Sequence, residues 1–178
     1  MRKKISIIIP IIFFSILTIF FYLLTIDRNP SNIPSALINK KAPEFESISL
    51  LTNKVFVSSK ELVNNEMIIV NFFATWCKPC RDEHPFIDLI SKENKKKIIG
   101  INYKDDPKKT IKWLKELGNP YYDVIEDKNG TIGIDWGVYG IPETFIINTE
   151  GIIIHRHVGP INKKIYKEIN LIIKKNND

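Results

Sequence analysis

The sequence predicts an α/β domain, a mixed central sheet flanked by helices, preceded by one transmembrane helix. Three observations carry that expectation. Met67–Ala74 (MIIVNFFA) and Lys97–Tyr103 (KIIGINY) are nearly continuous apolar runs, as strands buried on both faces require. Segments with helix punctuation alternate with them, and strand–helix–strand order favours a sheet covered by helices. The chain also opens with Met1–Lys4 (MRKK) and then 22 uncharged residues, Ile5–Ile26. At about 1.5 Å per residue that segment reaches roughly 33 Å, enough for a hydrocarbon core of about 30 Å. It runs longer than a signal-peptide core and leaves through Asp27-Arg28-Asn29-Pro30 without a small-x-small cleavage site. An uncleaved anchor is therefore expected over residues 1–26. The basic end stays in the cytoplasm and everything after it is exported.

The remaining elements follow in order. Asp27–Leu37 (DRNPSNIPSAL) reads as a polar linker, and residues 38–178 as one domain. Lys54–Val57 is a short strand candidate, and Ser58-Ser59 a cap for a short helix to Val63. A helix is expected from Cys77 to about Asn94, with a kink at Pro85. Asp106 caps the next helix, with Pro107 at its first position and Gly118 as its stop. Tyr121–Ile125 reads as a strand. Thr144–Asn148 and Ile152–Val158 form a hairpin across Asn148–Gly151 (NTEG). Asn162–Lys175 closes the chain as an amphipathic helix with Ile165, Ile169, Ile172 and Ile173 on its apolar side.

Charge excludes one class of function. The chain carries 26 Lys+Arg against 20 Asp+Glu. Without Arg2, Lys3 and Lys4 the exported part holds 23 basic and 20 acidic residues, a net +3. That is too mild for nucleic-acid binding. The run Lys95-Lys96-Lys97 reads as the solvated end of a helix.

The only two cysteines, Cys77 and Cys80, stand in TWCKPC where the first buried strand meets its helix. In open α/β sheets chemistry sits at the carboxyl ends of strands. At a helix N-terminus the free N–H groups and the macrodipole favour a thiolate, the reactive form of the thiol. Lys78 adds a positive charge, and Pro79 costs no hydrogen bond in the first turn. Cys80 lies one turn inside, so Cys77 reads as the attacking sulfur and Cys80 as the less exposed resolving one. A purely structural bridge across so small a loop removes little entropy from the unfolded chain. A zinc site needs four ligands and there is no second cysteine pair, although His84, His155 and His157 leave a zinc or copper site open.

Longer motifs extend this reading. TWCKPC after a buried strand, with NYKDD (Asn102–Asp106), WLKELGNPY (Trp113–Tyr121), GVYGIPETF (Gly137–Phe145) and APEF at Ala42–Phe45, resembles the membrane-anchored thioredoxin-like proteins of cytochrome c maturation, the CcmG/DsbE type. The resemblance implies a thioredoxin fold with an N-terminal extension and a central insert within Asp106–Trp136. It implies thiol:disulfide oxidoreductase activity that keeps thiols reduced in the periplasm, from a single-pass anchor in the inner membrane. The substrate is then apocytochrome c or a thiol protein of the haem-attachment pathway, and a membrane thiol reductase supplies the electrons. No cofactor is implied beyond a redox-active Cys77–Cys80 disulfide. Residue by residue, Cys77 matches the nucleophile, Cys80 the resolving thiol and Pro142 a cis-proline facing the pair. Ile141 then offers its backbone to an extended substrate. Glu83 and Glu143 match acids near the pair, which disfavour the thiolate and can relay a proton. Trp76 is expected to cover the disulfide and contact substrate. His84 stands open between a site residue and a solvated one. The residues alone do not fix the direction of electron flow: Lys78 and the helix make the pair more oxidising, the two acids less so. A general envelope thiol oxidase or isomerase, or a copper or zinc carrier, are the other classes.

Overall fold

A computed structural model describes residues 2–25, 36–63 and 66–176, with side chains described from Pro10 to Leu24 and in the two later segments. The chain divides into two compact units, Met1–Asn32 and Ile33–Asp178. Among its described residues the first contains the helix α1 (Arg2–Thr25), whose described side chains are exposed along their whole length. Among the described residues no helix is long and apolar enough to cross a membrane. The end of the expected anchor at Ile26 and most of the expected linker Asp27–Leu37 lie outside the described residues.

The second unit runs β1 (Glu46–Ile48), β2 (Val55–Val57), α2 (Ser58–Glu61), β3 (Ile68–Phe73), α3 (Lys78–Asn94), β4 (Lys97–Tyr103), α4 (Pro107–Leu117), β5 (Asp123–Asp127), α5 (Thr131–Asp135), β6 (Glu143–Ile147), β7 (Ile153–Val158) and α6 (Lys163–Lys175). Five strands form the central sheet in the order β5-β4-β3-β6-β7. β3 pairs parallel with β4 and antiparallel with β6, so the sheet is mixed. Every residue of β3 and β6 is buried. Alternate residues feed two cores, as the period of two in a strand dictates. Ile69, Phe73 and Ile146 pack on one face with α3 and α6, while Ile68, Val70, Phe72, Phe145 and Ile147 pack on the other around Trp136.

The two buried strands lie where the apolar runs put them. Asp106 caps α4 by accepting the Lys108 N–H at 2.8 Å, and Gly118 ends it at a φ of 92°. Asn162 caps α6 through the Lys164 and Ile165 N–H groups. Two expectations need correction. The strand expected at Tyr121–Ile125 is β5, two residues later. The Tyr121 N–H is taken by Asn119 Oδ1, and the Tyr121 ring stacks on Phe73 at 4.7 Å over Gly100, where a Cβ would meet both rings within 3 Å. Ser58 and Ser59 do not cap α2. The cap position is Val57, and Ser58 Oγ accepts the Phe45 N–H at 2.7 Å. The segment Asp106–Trp136, where the insert is expected, holds α4, β5 and α5, and β5 extends the sheet beside β4. Sequence periodicity missed β1 and α5, which are three and five residues long.

Candidate active site

The site is assembled at the end of β3. The strand hands over to Thr75 and Trp76, which the segment between β4 and α4 pins in place. Asp105 accepts the Thr75 N–H at 2.6 Å and its hydroxyl at 3.1 Å, and Trp76 Nε1 donates to the Lys104 carbonyl at 3.2 Å. Cys77 is the N-cap of α3. Its Sγ accepts the Cys80 N–H at 3.1 Å, as a cap atom should. Cys77 and Cys80 are joined in a disulfide, with Cα atoms 5.3 Å apart.

Opposite them the Ile141–Pro142 bond is cis, and the Ile141 carbonyl oxygen lies 3.7 Å from Cys77 Sγ. Ile141 and Pro142 thus meet the two cysteines at one end of the sheet, while Trp76, next to Cys77 in the chain, bonds to Lys104. Trp76 is 60% exposed, so it is no core aromatic. In this oxidised state the two cysteines are 4% and 2% exposed, so burial does not separate attacker from resolver as expected. Position on the helix does: Cys77 caps it and Cys80 lies inside. Lys78 is not a lone cation beside the pair, because Asp82, one turn on, binds it at 3.0 Å.

Glu83 and Glu143 have different surroundings. Glu83, three residues after Cys80 on α3, is 1% exposed. Asn71 Nδ2 donates to its Oε1 and the Ile161 N–H to its Oε2, both at 2.9 Å. Asn71 Nδ2 also donates to Thr144 Oγ1, and Tyr121 donates its hydroxyl proton to Asn71 Oδ1. No cation is among these partners. Burial outweighs the two hydrogen bonds and lifts the Glu83 carboxyl to about 7. Burial and the nearby Glu83 carboxyl also raise the Tyr121 phenol, so it stays a neutral donor.

Glu143 is also fully buried, but Arg156 holds it. Arg156 Nε and Nη2 approach Glu143 Oε2 at 2.8 and 2.7 Å, and the Tyr139 and Gly140 N–H groups donate to Oε1. Burial pushes this carboxyl up, and Arg156 and the two N–H groups pull it back. Glu143, expected as an acid near the cysteine pair, is therefore anchored in an ion pair with Arg156.

His84 is buried rather than solvated. Its Nε2 lies 3.0 Å from the Gly118 carbonyl and its ring packs edge-on to Trp113 at 4.3 Å. Burial lowers it, and likewise His155 and His157 on β7. Among the described residues no group of three or more His, Cys, Asp or Glu is placed to hold a metal ion. Asn71, Tyr121, Asp105 and Arg156 were not anticipated. Asn71 carried a signal: a polar residue inside MIIVNFFA must find partners in the core.

A disulfide capping a helix after a buried strand, facing a cis-proline across a mixed sheet, defines a thioredoxin-fold thiol–disulfide oxidoreductase. Comparison with known proteins narrows the class. Residues 37–170 match the family model described as Redoxin. The chain is 40% identical over 171 residues to thiol:disulfide interchange protein DsbE of Escherichia coli K12, covering 94% of this chain and 92% of that protein. It is 41% identical over 167 residues to the DsbE of Pseudomonas aeruginosa, covering 93% and 91%. Among solved structures, a DsbE-like protein of Chlorobium tepidum matches with a TM-score of 0.69 at 22% identity, over 79% of this chain and 98% of that one, which supports the fold. The chain belongs to the redoxin family, among the DsbE-type thiol:disulfide interchange proteins.

Proposed function

We propose that the protein is a membrane-anchored reductant of the periplasm that opens disulfides in apocytochrome c, or in a thiol protein of the haem-attachment pathway. The observation that carries the chemistry is the Cys77–Cys80 disulfide at the start of α3, opposite the cis Ile141–Pro142 peptide. The choice of substrate rests on the resemblance of NYKDD, WLKELGNPY and GVYGIPETF to the cytochrome c maturation type. The anchor over residues 1–26, the linker 27–37 and the inner-membrane location rest on the basic start and on the uncharged stretch Ile5–Ile26.

The disulfide is the product state of this reaction. A membrane thiol reductase returns two electrons and two protons, giving two thiols. The Cys77 thiolate attacks one sulfur of the substrate disulfide, and the other leaves as a thiolate. This forms a mixed disulfide on Cys77. The Cys80 thiolate then attacks Cys77 Sγ, which releases the second substrate thiolate and restores the intramolecular disulfide. Cys80 must lose a proton to attack. Glu83, one helical turn away on the same face, titrates at about 7 and can take that proton near neutrality. Its charge beside the thiolates disfavours the reduced form and so makes the pair a better reductant. The electrons pass through the two sulfurs, and Glu83 serves as the proton acceptor.

The test is a trap. Cys80→Ser removes the resolving thiol and leaves Cys77 able to attack. The variant is expected to accumulate disulfide adducts with apocytochromes or with a thiol partner of their maturation, whereas Cys77→Ser accumulates none. Cells with Cys77→Ser are expected to lose c-type cytochromes and to regain part of them with added small thiol. Normal cytochromes with both cysteines replaced, or capture of a broad sample of envelope proteins, would refute the reading; the latter favours a general oxidase or isomerase.

A further inference from the structure

The loop before the cis-proline is tied down from one side chain. Arg156 sits on β7 opposite Phe145, with its side chain 7% exposed. Its Nη2 donates to the Gly137 carbonyl at 2.8 Å while Nε and Nη2 both reach Glu143 Oε2. Its guanidinium lies 5.2 Å from the Tyr139 ring centre and 5.5 Å from that of Phe145. Glu143 passes the tether on by accepting the Tyr139 and Gly140 N–H groups at 3.1 and 3.4 Å. Three of the five residues between α5 and Ile141, namely Gly137, Tyr139 and Gly140, are therefore bonded to this pair. The next residue, Ile141, is the one whose carbonyl lies against Cys77 Sγ. Tyr139, two residues before Ile141, is 56% exposed.

We propose that Arg156 is a positioning residue for the substrate, clamping Gly137–Gly140 as one wall of the groove that receives an extended cysteine-bearing segment. This rests on the reading that such a segment docks against Ile141. The planar fork of Arg156 serves Glu143 and Gly137 at once. A lysine keeps the charge beside Glu143 but is a single point cation and cannot hold both in that geometry. The clamp bears on substrates that reach the wall and not on a disulfide too small to touch it.

The experiment compares two oxidants of the reduced protein in single turnover. One is hydroxyethyl disulfide, the other a peptide with an oxidised Cys-x-x-Cys pair. In each case the Cys77 thiolate attacks one sulfur, a thiolate leaves, and Cys80 closes the disulfide. The wild type is expected to prefer the peptide. Arg156→Lys is expected to lower the ratio of peptide rate to small-disulfide rate about tenfold, with the same far-ultraviolet spectrum and cooperative unfolding. The double variant Glu143→Leu with Arg156→Met leaves no charge buried alone and is expected to show the same fall. A ratio within about twofold of wild type in a folded variant overturns the inference. A wild type without preference for the peptide overturns instead the docking reading on which it rests. Should neither variant fold, amide exchange of Cys80→Ser decides. Exchange at Tyr139 and Gly140 is expected to slow at least about threefold when a peptide is held on Cys77, and no slowing overturns the inference.

Discussion

Glu143 and Thr144 are consecutive residues of β6, and they lead to opposite faces of the sheet. From Thr144 a chain of neutral partners runs through Asn71 to Glu83 beneath the start of α3, the floor of the site. From Glu143 a buried ion pair with Arg156 fixes the loop before Pro142, its wall. Both carboxylates are buried and both are raised by burial, but only the wall contains a cation. The difference shows what the partner decides. A buried acid held by neutral donors titrates where the cell works, whereas one held by a guanidinium becomes a strut.

The largest expected effect breaks the wall. Arg156→Met leaves Glu143 buried without its counter-charge and should cost about 3–5 kcal/mol in urea unfolding near neutrality. Replacing both partners, Glu143→Leu with Arg156→Met, should cost far less, because no lone charge remains. Equal losses in the two variants would mean that Arg156 acts through packing alone.

The floor should reveal itself through pH. The Glu83 carboxyl is raised from 4.5 to about 7 in the folded chain, so its neutral form is favoured there. Its contribution to stability is complete below pH 4.5 and is lost as pH rises to about 7, a swing of about 3 kcal/mol. His84, His155 and His157 act in the opposite sense. Lowered below 6.5, they favour the fold above that pH and weaken it in acid. The wild-type curve is therefore a partial cancellation, and the difference from Glu83→Gln isolates the floor. Glutamine sets an amide N–H₂ against a donor, either Asn71 Nδ2 or the Ile161 N–H. The variant should start about 1–3 kcal/mol below wild type in acid and converge on it near neutrality. A difference that stays constant with pH would contradict the assignment.

How far all this could be read beforehand varied with the kind of residue. The apolar runs at Met67–Ala74 and Lys97–Tyr103 imply buried strands, since only burial on both faces explains such runs. Asp106, Pro107 and Gly118 announce the limits of α4 by local hydrogen bonding alone. Cys77 and Cys80 announce a redox pair by spacing and by their place before a helix. The remainder depended on contacts between residues distant in sequence. Glu83 looks like any exposed helix residue until Asn71 and Ile161 close over it. Arg156 stands between two histidines with nothing to mark it as the partner of Glu143. Lys78 reads as a free cation by its place beside the cysteines, yet Asp82, four residues on, is its partner.

Smaller effects sharpen the contrast. Tyr121→Phe removes one hydrogen bond from the floor and leaves the Asn71 carbonyl with one partner fewer. It should cost about 1 kcal/mol and move the Glu83 titration, without touching the wall. Lys78→Gln should do least. That exposed pair contributes less than about 1 kcal/mol at low salt, and its effect should vanish at high salt.

The most direct test of the floor's role is the rate at which Cys80 resolves a peptide mixed disulfide on Cys77, followed from pH 5 to 9 in the wild type and in Glu83→Gln, an interval spanning about two units on either side of 7. The wild-type rate should rise through an inflection near 7, where Glu83 becomes able to take the Cys80 proton. In Glu83→Gln that inflection should disappear, and the rate should follow the titration of the thiol alone. The same inflection near 7 in both proteins would contradict the account, because some other group would then be accepting the proton.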